Sequence, residues 1–243
     1  MRKIFSMLSA ALISTSCFPQ KKAYIGIEGS IANDRVRIEK DNGGELKHVP
    51  LLAPLVGINF RQEICKNLFA EVGLLYKPYD EGMGFKLEPG YSTGTGFNSW
   101  IIAPRIGTSI KLFEGIISLV PVVGYSFCLN NDYGYDSVYA PGGSWGYIRT
   151  QQDTITYSSA TTYNNKTFSL LQTGLGIGVK LFRTVNLNVS ANYYIGLNKV
   201  YQLDVLYKVD NSITFSGKMV SKGQFWSVGI KLQYPVSKLW QSR

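Results

Sequence analysis

The sequence predicts an all-β chain, an eight-stranded antiparallel up-and-down transmembrane β-barrel. Three observations predict it. Eight segments alternate apolar with polar or small residues, and no amphipathic helix of useful length follows the first twenty residues. Every second connection between the segments is short, and the others are long. Glycine and charge gather on one face of the alternation, which leaves the other face free of charge.

The segments lie near residues 23–32, 51–62, 68–78, 99–112, 116–128, 167–181, 185–197 and 223–234. The first carries Gly26 and Glu28 on its polar face, the second Gly57 and Arg61, and the third Glu71 and Gly73. The fourth carries Arg105, Gly107 and Lys111 there, and the fifth Gly124. In the sixth, Leu171, Thr173, Leu175, Ile177, Val179 and Leu181 oppose Gln172, Gly174, Gly176, Gly178 and Lys180. The seventh is the clearest, with Val185, Leu187, Val189, Ala191, Tyr193, Ile195 and Leu197 against Asn186, Asn188, Ser190, Asn192, Tyr194 and Gly196. The eighth has Gly229 and Lys231 on the polar face. Short connections at Glu63 to Asn67, Phe113 to Gly115 and Phe182 to Thr184 read as hairpin turns. The connections 33–50, 79–98, 129–166 and 198–222 are long, so tight turns gather at one end of the structure and large loops at the other. That asymmetry is expected of a barrel with short periplasmic turns and long outer loops.

A soluble eight-stranded barrel would alternate too, with its faces reversed. Three features choose between the two. The strand glycines share the polar face, and an eight-stranded barrel has room inside only for filling side chains. Glu28, Arg61, Glu71, Arg105, Lys111, Lys180 and Lys231 lie on that same face, and the charge-free opposite face suits lipid better than water. Aromatic residues gather toward the strand ends: Tyr76, Trp100, Tyr125, Phe127 and Trp226 near the loops, Phe60, Phe113, Phe182 and Tyr234 near the turns. They resemble two interfacial girdles.

At 243 residues, 45% hydrophobic and only 17% charged, the chain has the makeup of one folded domain or barrel rather than a disordered tail. Its formal charge of +9 is scattered, with no basic cluster, nucleic-acid motif or helix to mount one, so nucleic acid is not an expected partner. Residues 1–20 read as a secretory signal: a positive start at Arg2 and Lys3, an apolar run from Ile4 to Ile13, then Ser14, Thr15 and Ser16. Cleavage after Ser16 or near Gln20 both fit, and Cys17 raises lipidation, although Ser14 stands where a lipobox usually has leucine. The barrel then occupies 21–234, with a short periplasmic tail at 235–243 after Pro235, which cannot donate to a ladder. Cys65 and Cys128 fall at opposite strand ends, too far apart to bridge. With one histidine and no CxxC, the sequence offers no metal or cofactor site.

The stretch Ser227-Val228-Gly229-Ile230-Lys231-Leu232-Gln233-Tyr234 is similar to the last-strand signal of the small outer-membrane β-barrels of Gram-negative bacteria. Val56 to Phe60, Gly107 to Leu112 and Gly176 to Leu181 repeat it at other turn ends. Over 23–234 the chain resembles that family, which includes the membrane domain of outer-membrane protein A and outer-membrane protein X. The resemblance implies a place in the cell outer membrane, contact with its lipid, and recognition of Ser227, Gly229, Leu232 and Tyr234 by the barrel assembly machinery. Members commonly end on the terminal aromatic, whereas nine residues follow Tyr234 here.

Inside such a barrel, Glu28, Glu71 and Arg105 are candidates for a salt-bridged plug, with a narrow small-solute pore as the alternative. The loop 129–166 holds Tyr133, Tyr135, Trp145 and Tyr147 among Gly, Ser, Thr and Asn, a composition suited to adaptable recognition. With Tyr207 in the last loop these are the recognition candidates, for an extracellular protein or glycan. The last loop, from Tyr201 through Phe215, reads as a hairpin above the membrane whose open edge could accept a partner's strand. Some eight-stranded relatives modify lipid A with a loop or rim histidine. His48 is the one candidate for that role, with Asp80 and Ser92 in the next loop, but no motif pairs them and no catalytic residue is assigned. The expected role is structural or surface-interacting rather than enzymatic.

Overall fold

A computed structural model describes residues 22–65, 67–113, 116–130, 144–149, 154–181, 184–210 and 213–236. The signal segment, most of the tail, Tyr133, Tyr135 and Phe182 lie outside the described residues. The strands are β1 Ala23–Asp41, β2 Leu46–Pro50, β3 Leu52–Glu63, β4 Leu68–Phe85, β5 Glu88–Thr108, β6 Ile110–Leu112, β7 Ile117–Asn130, β8 Ser144–Arg149, β9 Thr154–Tyr163, β10 Thr167–Leu181, β11 Val185–Gly196, β12 Tyr201–Val209 and β13 Phe215–Pro235.

Eight of these positions around the wall close a barrel in the order β1, β3, β4, β5, β7, β10, β11, β13, and β13 pairs back onto β1. All of these pairings are antiparallel. The short β6 continues the register of β5 against β7: Gly107 faces Val122 and Ile110 faces Leu119, so the two act as one barrel strand. The expected segments and turns therefore stand, and the seam falls between the first and last strands.

The wall has its apolar side outward. Ile25, Ile27, Ile58, Leu74, Ile106, Val123, Leu175, Ile177, Val189, Val228 and Ile230 are exposed, while Asn59, Glu71, Arg105, Gln172 and Gln233 on the opposite face are buried. Glycine supplies inner space where side chains cross the lumen. A Cβ on Gly107 would lie 2.4 Å from the Phe69 ring, and one on Gly174 2.1 Å from Asn192 Oδ1.

The connections expected to be loops are largely folded. β1, β4, β5 and β13 run for 19, 18, 21 and 21 residues, roughly twice the 9–11 that cross a bilayer. Their far halves rise past the outer aromatic residues into a second structure. There β13 continues into a sheet with β12, β9 and β8, and β2 pairs with the end of β4.

The reason lies in a change of pattern along one strand. In the membrane half of β1, Ile25, Ile27 and Ile31 point outward and Glu28 inward. In the far half, Arg35 and Arg37 are exposed and Val36 and Ile38 pack inward. The far half thus buries its apolar side as a strand in water must. Leu46, Met83, Phe85, Ile155, Tyr157, Leu203, Val205, Tyr207 and Met219 fill the core so formed. The hairpin expected over 201–215 exists as β12 and the start of β13, but its outer edge is paired with β9. Among the described residues the sheet's unpaired edge is β8 instead.

Candidate functional site

Three levels divide the interior, two of them filled and the lowest open. The middle one is charged. Arg105 on β5 places Nη2 2.8 Å from Glu28 Oε1 and Nη1 2.9 Å from Glu71 Oε1, so one guanidinium joins carboxylates from β1 and β4. Lys231 on β13 lies 3.3 Å from Glu28 Oε2 and also donates to Glu71. Amides complete the layer: Arg105 Nε donates to Gln172 Oε1 at 3.0 Å, and Gln233 Nε2 donates to Glu71 Oε2 at 2.9 Å and to Asn59 Oδ1 at 2.7 Å. β7 contributes Gly124, whose missing side chain leaves room for Arg105: a Cβ there would lie 3.1 Å from Arg105 Cγ. Two carboxylates matched by two cations satisfy the demand that buried charge be paired and hydrogen-bonded. The cavity left in this layer is about 30 Å³, the share of about one water.

Above it lies an aromatic layer. Tyr79 stacks on Phe97 with centroids 4.5 Å apart, and Tyr194 on Phe225 at 4.1 Å. Phe168 and Phe225 meet Tyr79 edge-on. A second buried ion pair sits among these rings, with Lys77 Nζ 2.6 Å from Asp34 Oδ1 and 3.7 Å from the Tyr79 centroid. Below the charged layer, at the turn end, a wider vestibule opens.

The sequence candidates divide accordingly. Glu28, Glu71, Arg105 and Lys231 meet in the charged layer. Arg61 lies lower, with its guanidinium carbon 3.6 Å over the Phe69 ring. Lys111 and Lys180, expected inside, are exposed on the lining of the vestibule, where their ammonium groups keep their water. Ser227, Gly229, Leu232 and Tyr234 lie on β13, whose neighbours are β1 and β11.

Tyr207 corrects the recognition reading, since it is 1% exposed and belongs to the outer core. Its hydroxyl donates to Asp41 Oδ1 at 2.5 Å and accepts from the Glu45 amide. Burial and the bond to Asp41 push its pKa up to about 12. Trp145 and Tyr147 lie on β8, opposite Ser158 and Thr156. His48 is on β2 opposite Met83, half-buried, and its pKa is lowered first by burial and then by the charge of Arg35. Cys65 and Cys128 are free thiols. Missed by sequence reasoning were Asp34, placed in a loop, and Lys77, which shares the parity of Glu71 and could have been found by it.

No family model matches the sequence, and no curated protein matches it. The fold is similar to that of solved outer-membrane barrels. The attachment invasion locus protein Ail of Yersinia pestis, solved with a heparin analogue, is 11% identical, with 88% of this chain and 99% of that chain covered at a TM-score of 0.39. The outer membrane protein AlkL, solved in lipid bilayers, is 12% identical over 90% of this chain and 91% of that one, at 0.45. The outer membrane protease OmpT of Escherichia coli is 8% identical over 90% and 99%, at 0.40. The closed eight-stranded antiparallel wall with its apolar face outward is itself the fold of an outer-membrane β-barrel.

The belt supports the same conclusion on physical grounds. An apolar surface wrapped around a closed barrel is what lipid demands, and closure satisfies every wall strand's backbone within the sheet. Trp100, Tyr125, Phe127 and Trp226 edge it on the outer side, and Phe113 lies exposed at the turn end. The charged and aromatic layers stand in series across the lumen. In planar bilayers the purified barrel should therefore insert without resolved conductance steps; regular unitary steps would show that both layers open.

Proposed function

We propose that this chain is a non-conducting barrel of the Gram-negative outer membrane that presents a folded recognition sheet at the cell surface, in a structural or adhesive role. One observation carries the reading: the outer halves of β1, β4 and β13 with β2, β9 and β12 carry the apolar core of the barrel's aromatic layer on into a sheet above a filled lumen. Ordering so many residues is costly in conformational entropy, and a barrel that only sealed itself would need short loops. Among the described residues the sheet ends on β8, which pairs with β9 on one side only and follows the Tyr-rich segment that the sequence marks for recognition. A free strand edge offers backbone donors and acceptors, and neighbouring aromatics offer contact area at small entropic cost. The partner is an extracellular protein or glycan.

The test uses cells that display either the full chain or a version with residues 131–163 replaced by a short Gly-Ser linker. β8 and β9 pair only with each other and with β12 among the described strands, so the barrel wall should assemble in both. Heat-modifiable gel migration checks that assembly. Binding to surfaces coated with matrix proteins or glycans should be seen with the full chain and lost with the linker version. Equal binding by both lines would overturn the proposal.

A further inference from the structure

The vestibule at the turn end has a volume of about 110 Å³, several times the roughly 30 Å³ that one water occupies in the liquid. Lys22, Arg61, Lys111 and Lys180 line it, and Glu63 is the carboxylate among its lining residues. These cations come from the approach to β1 and from β3, β6 and β10, so they converge from well-separated parts of the wall.

The charged layer above does not neutralise them. Glu28 and Glu71 are both within ion-pair distance of Arg105 and Lys231, and the second oxygen of Glu71 accepts from Gln233. Arg61 stands opposite Glu71 in the strand register, yet forms no salt bridge with it. Glu63 accepts the hydroxyl of Tyr24 at 3.3 Å. Among the described residues no salt bridge involves Lys22, Arg61, Lys111 or Lys180.

A second, independent observation concerns Arg61 itself. Its Nε is buried and has no hydrogen-bond partner among the described residues. The Phe69 ring, 3.6 Å from the guanidinium carbon, covers a face of the group but accepts nothing from an in-plane N–H. That Nε is closed to solvent, so an anion in the vestibule meets the Nη donors of Arg61, which form no salt bridge among the described residues.

We infer that the vestibule binds an oxyanion of the phosphate class. Arg61 forms the floor, where its fork of donors matches the edge of a tetrahedral anion, and Lys22, Lys111 and Lys180 supply charge around it. Asn186 and Asn188 line the same cavity with side-chain amides. Donors converging from several strands suit an anion with acceptors in all directions better than a planar carboxylate, which one guanidinium satisfies. The phosphate can belong to a soluble molecule on the turn side or to a phospholipid headgroup reaching under the rim. The site lies at the opposite end from the outer sheet, and it stands whatever the sheet binds.

The test uses the full chain, folded into nanodiscs, with Arg61→Gln and with Lys111→Ser/Lys180→Ser. Heat-modifiable migration checks each barrel, and the two lysines are exposed, so their removal leaves the wall intact. In phosphatidylcholine discs, inorganic phosphate is titrated by calorimetry. In a second arm, discs containing phosphatidylglycerol are analysed for lipid retained by the protein in native mass spectrometry. The expected result is one saturable site in either arm, weakened at least tenfold by Arg61→Gln, weakened severalfold by the lysine pair, and weaker again at high salt. Binding of inorganic phosphate identifies a soluble source; retained phosphatidylglycerol identifies a lipid. Absence of saturable binding in both arms would overturn the inference. So would equal affinity in wild type and both variants, the mark of an adventitious ion only.

Discussion

Replacing Arg105 with methionine is expected to lower the unfolding free energy of the barrel by about 3–5 kcal/mol, the range for removing one partner of a buried ion pair. The side chains of Arg105, Glu28 and Glu71 are 3%, 8% and 2% exposed, so water cannot take over the lost contacts. Lys231 would then face two carboxylates alone, and Gln172 would lose the donor on its Oε1. Methionine fills much of the space of the arginine stem, so a cavity adds little to the loss. Urea titration of the barrel in lipid bilayers, followed by gel mobility, measures the change. Adding Glu28→Gln to Arg105→Met should restore more than half of it, because Glu71 then remains to pair with Lys231 and the penalty lies in the unpaired charge. A loss below about 1 kcal/mol for Arg105→Met alone would show that the layer is wet and that its ion pairs carry little. The substitution should also leave the barrel closed to ions, because the aromatic layer blocks the lumen independently.

The membrane half of this fold was legible in the sequence because one rule governs all of it: apolar side chains outward, glycine and polar side chains inward. Gly174, Gly176, Gly178 and Lys180 on the lumen face, with Leu175, Ile177 and Val179 toward lipid, place β10 and β11 correctly down to their turn. The outer half obeys the opposite rule. Arg35-Val36-Arg37-Ile38 alternates as regularly as any membrane segment, but with charge outward, and apolar-outward alternation stops at Ile31. The reversal itself is the signal that β1 leaves lipid and continues through water. Tyr207 was misplaced for the same reason. Tyr201, Leu203, Val205 and Tyr207 alternate as one buried row, whereas a protruding hairpin with an open edge leaves Tyr207 a surface group. The charged layer was legible residue by residue but not as a geometry. Alternation assigns Glu28, Arg105, Lys111 and Lys180 to one face alike, while height along the strand separates a paired cluster from a solvated mouth. Asp34 and Lys77 are not legible as a pair, because Asp34 lies past Ile31, where the apolar-outward pattern of β1 stops.

That pair provides the second large effect. Lys77→Met should cost about 3–5 kcal/mol, since Asp34 and Lys77 both have fully buried side chains and their nitrogen and oxygen lie 2.6 Å apart. The ammonium also rests 3.7 Å over the Tyr79 ring and 4.8 Å from that of Phe225, and those contacts vanish with it. The carboxylate left behind sits where β1 shifts register against β13, just past Asp34. At this junction the membrane barrel hands its strands to the outer sheet. The damage should therefore be lopsided. Amide exchange ought to rise in the far halves of β1, β4 and β13, while β10 and β11 near their turn keep the protection of the wild type. Asp34→Asn combined with Lys77→Met should recover most of the stability, and the resulting cycle isolates the charge interaction from the packing of the lysine stem. Uniform loss of protection over the whole barrel would mean that the outer sheet and the membrane wall unfold as one unit. Loss confined to the far halves would make the junction a boundary between two cooperative parts, a wall held by closure in lipid and a sheet whose apolar core meets the aromatic layer at that junction.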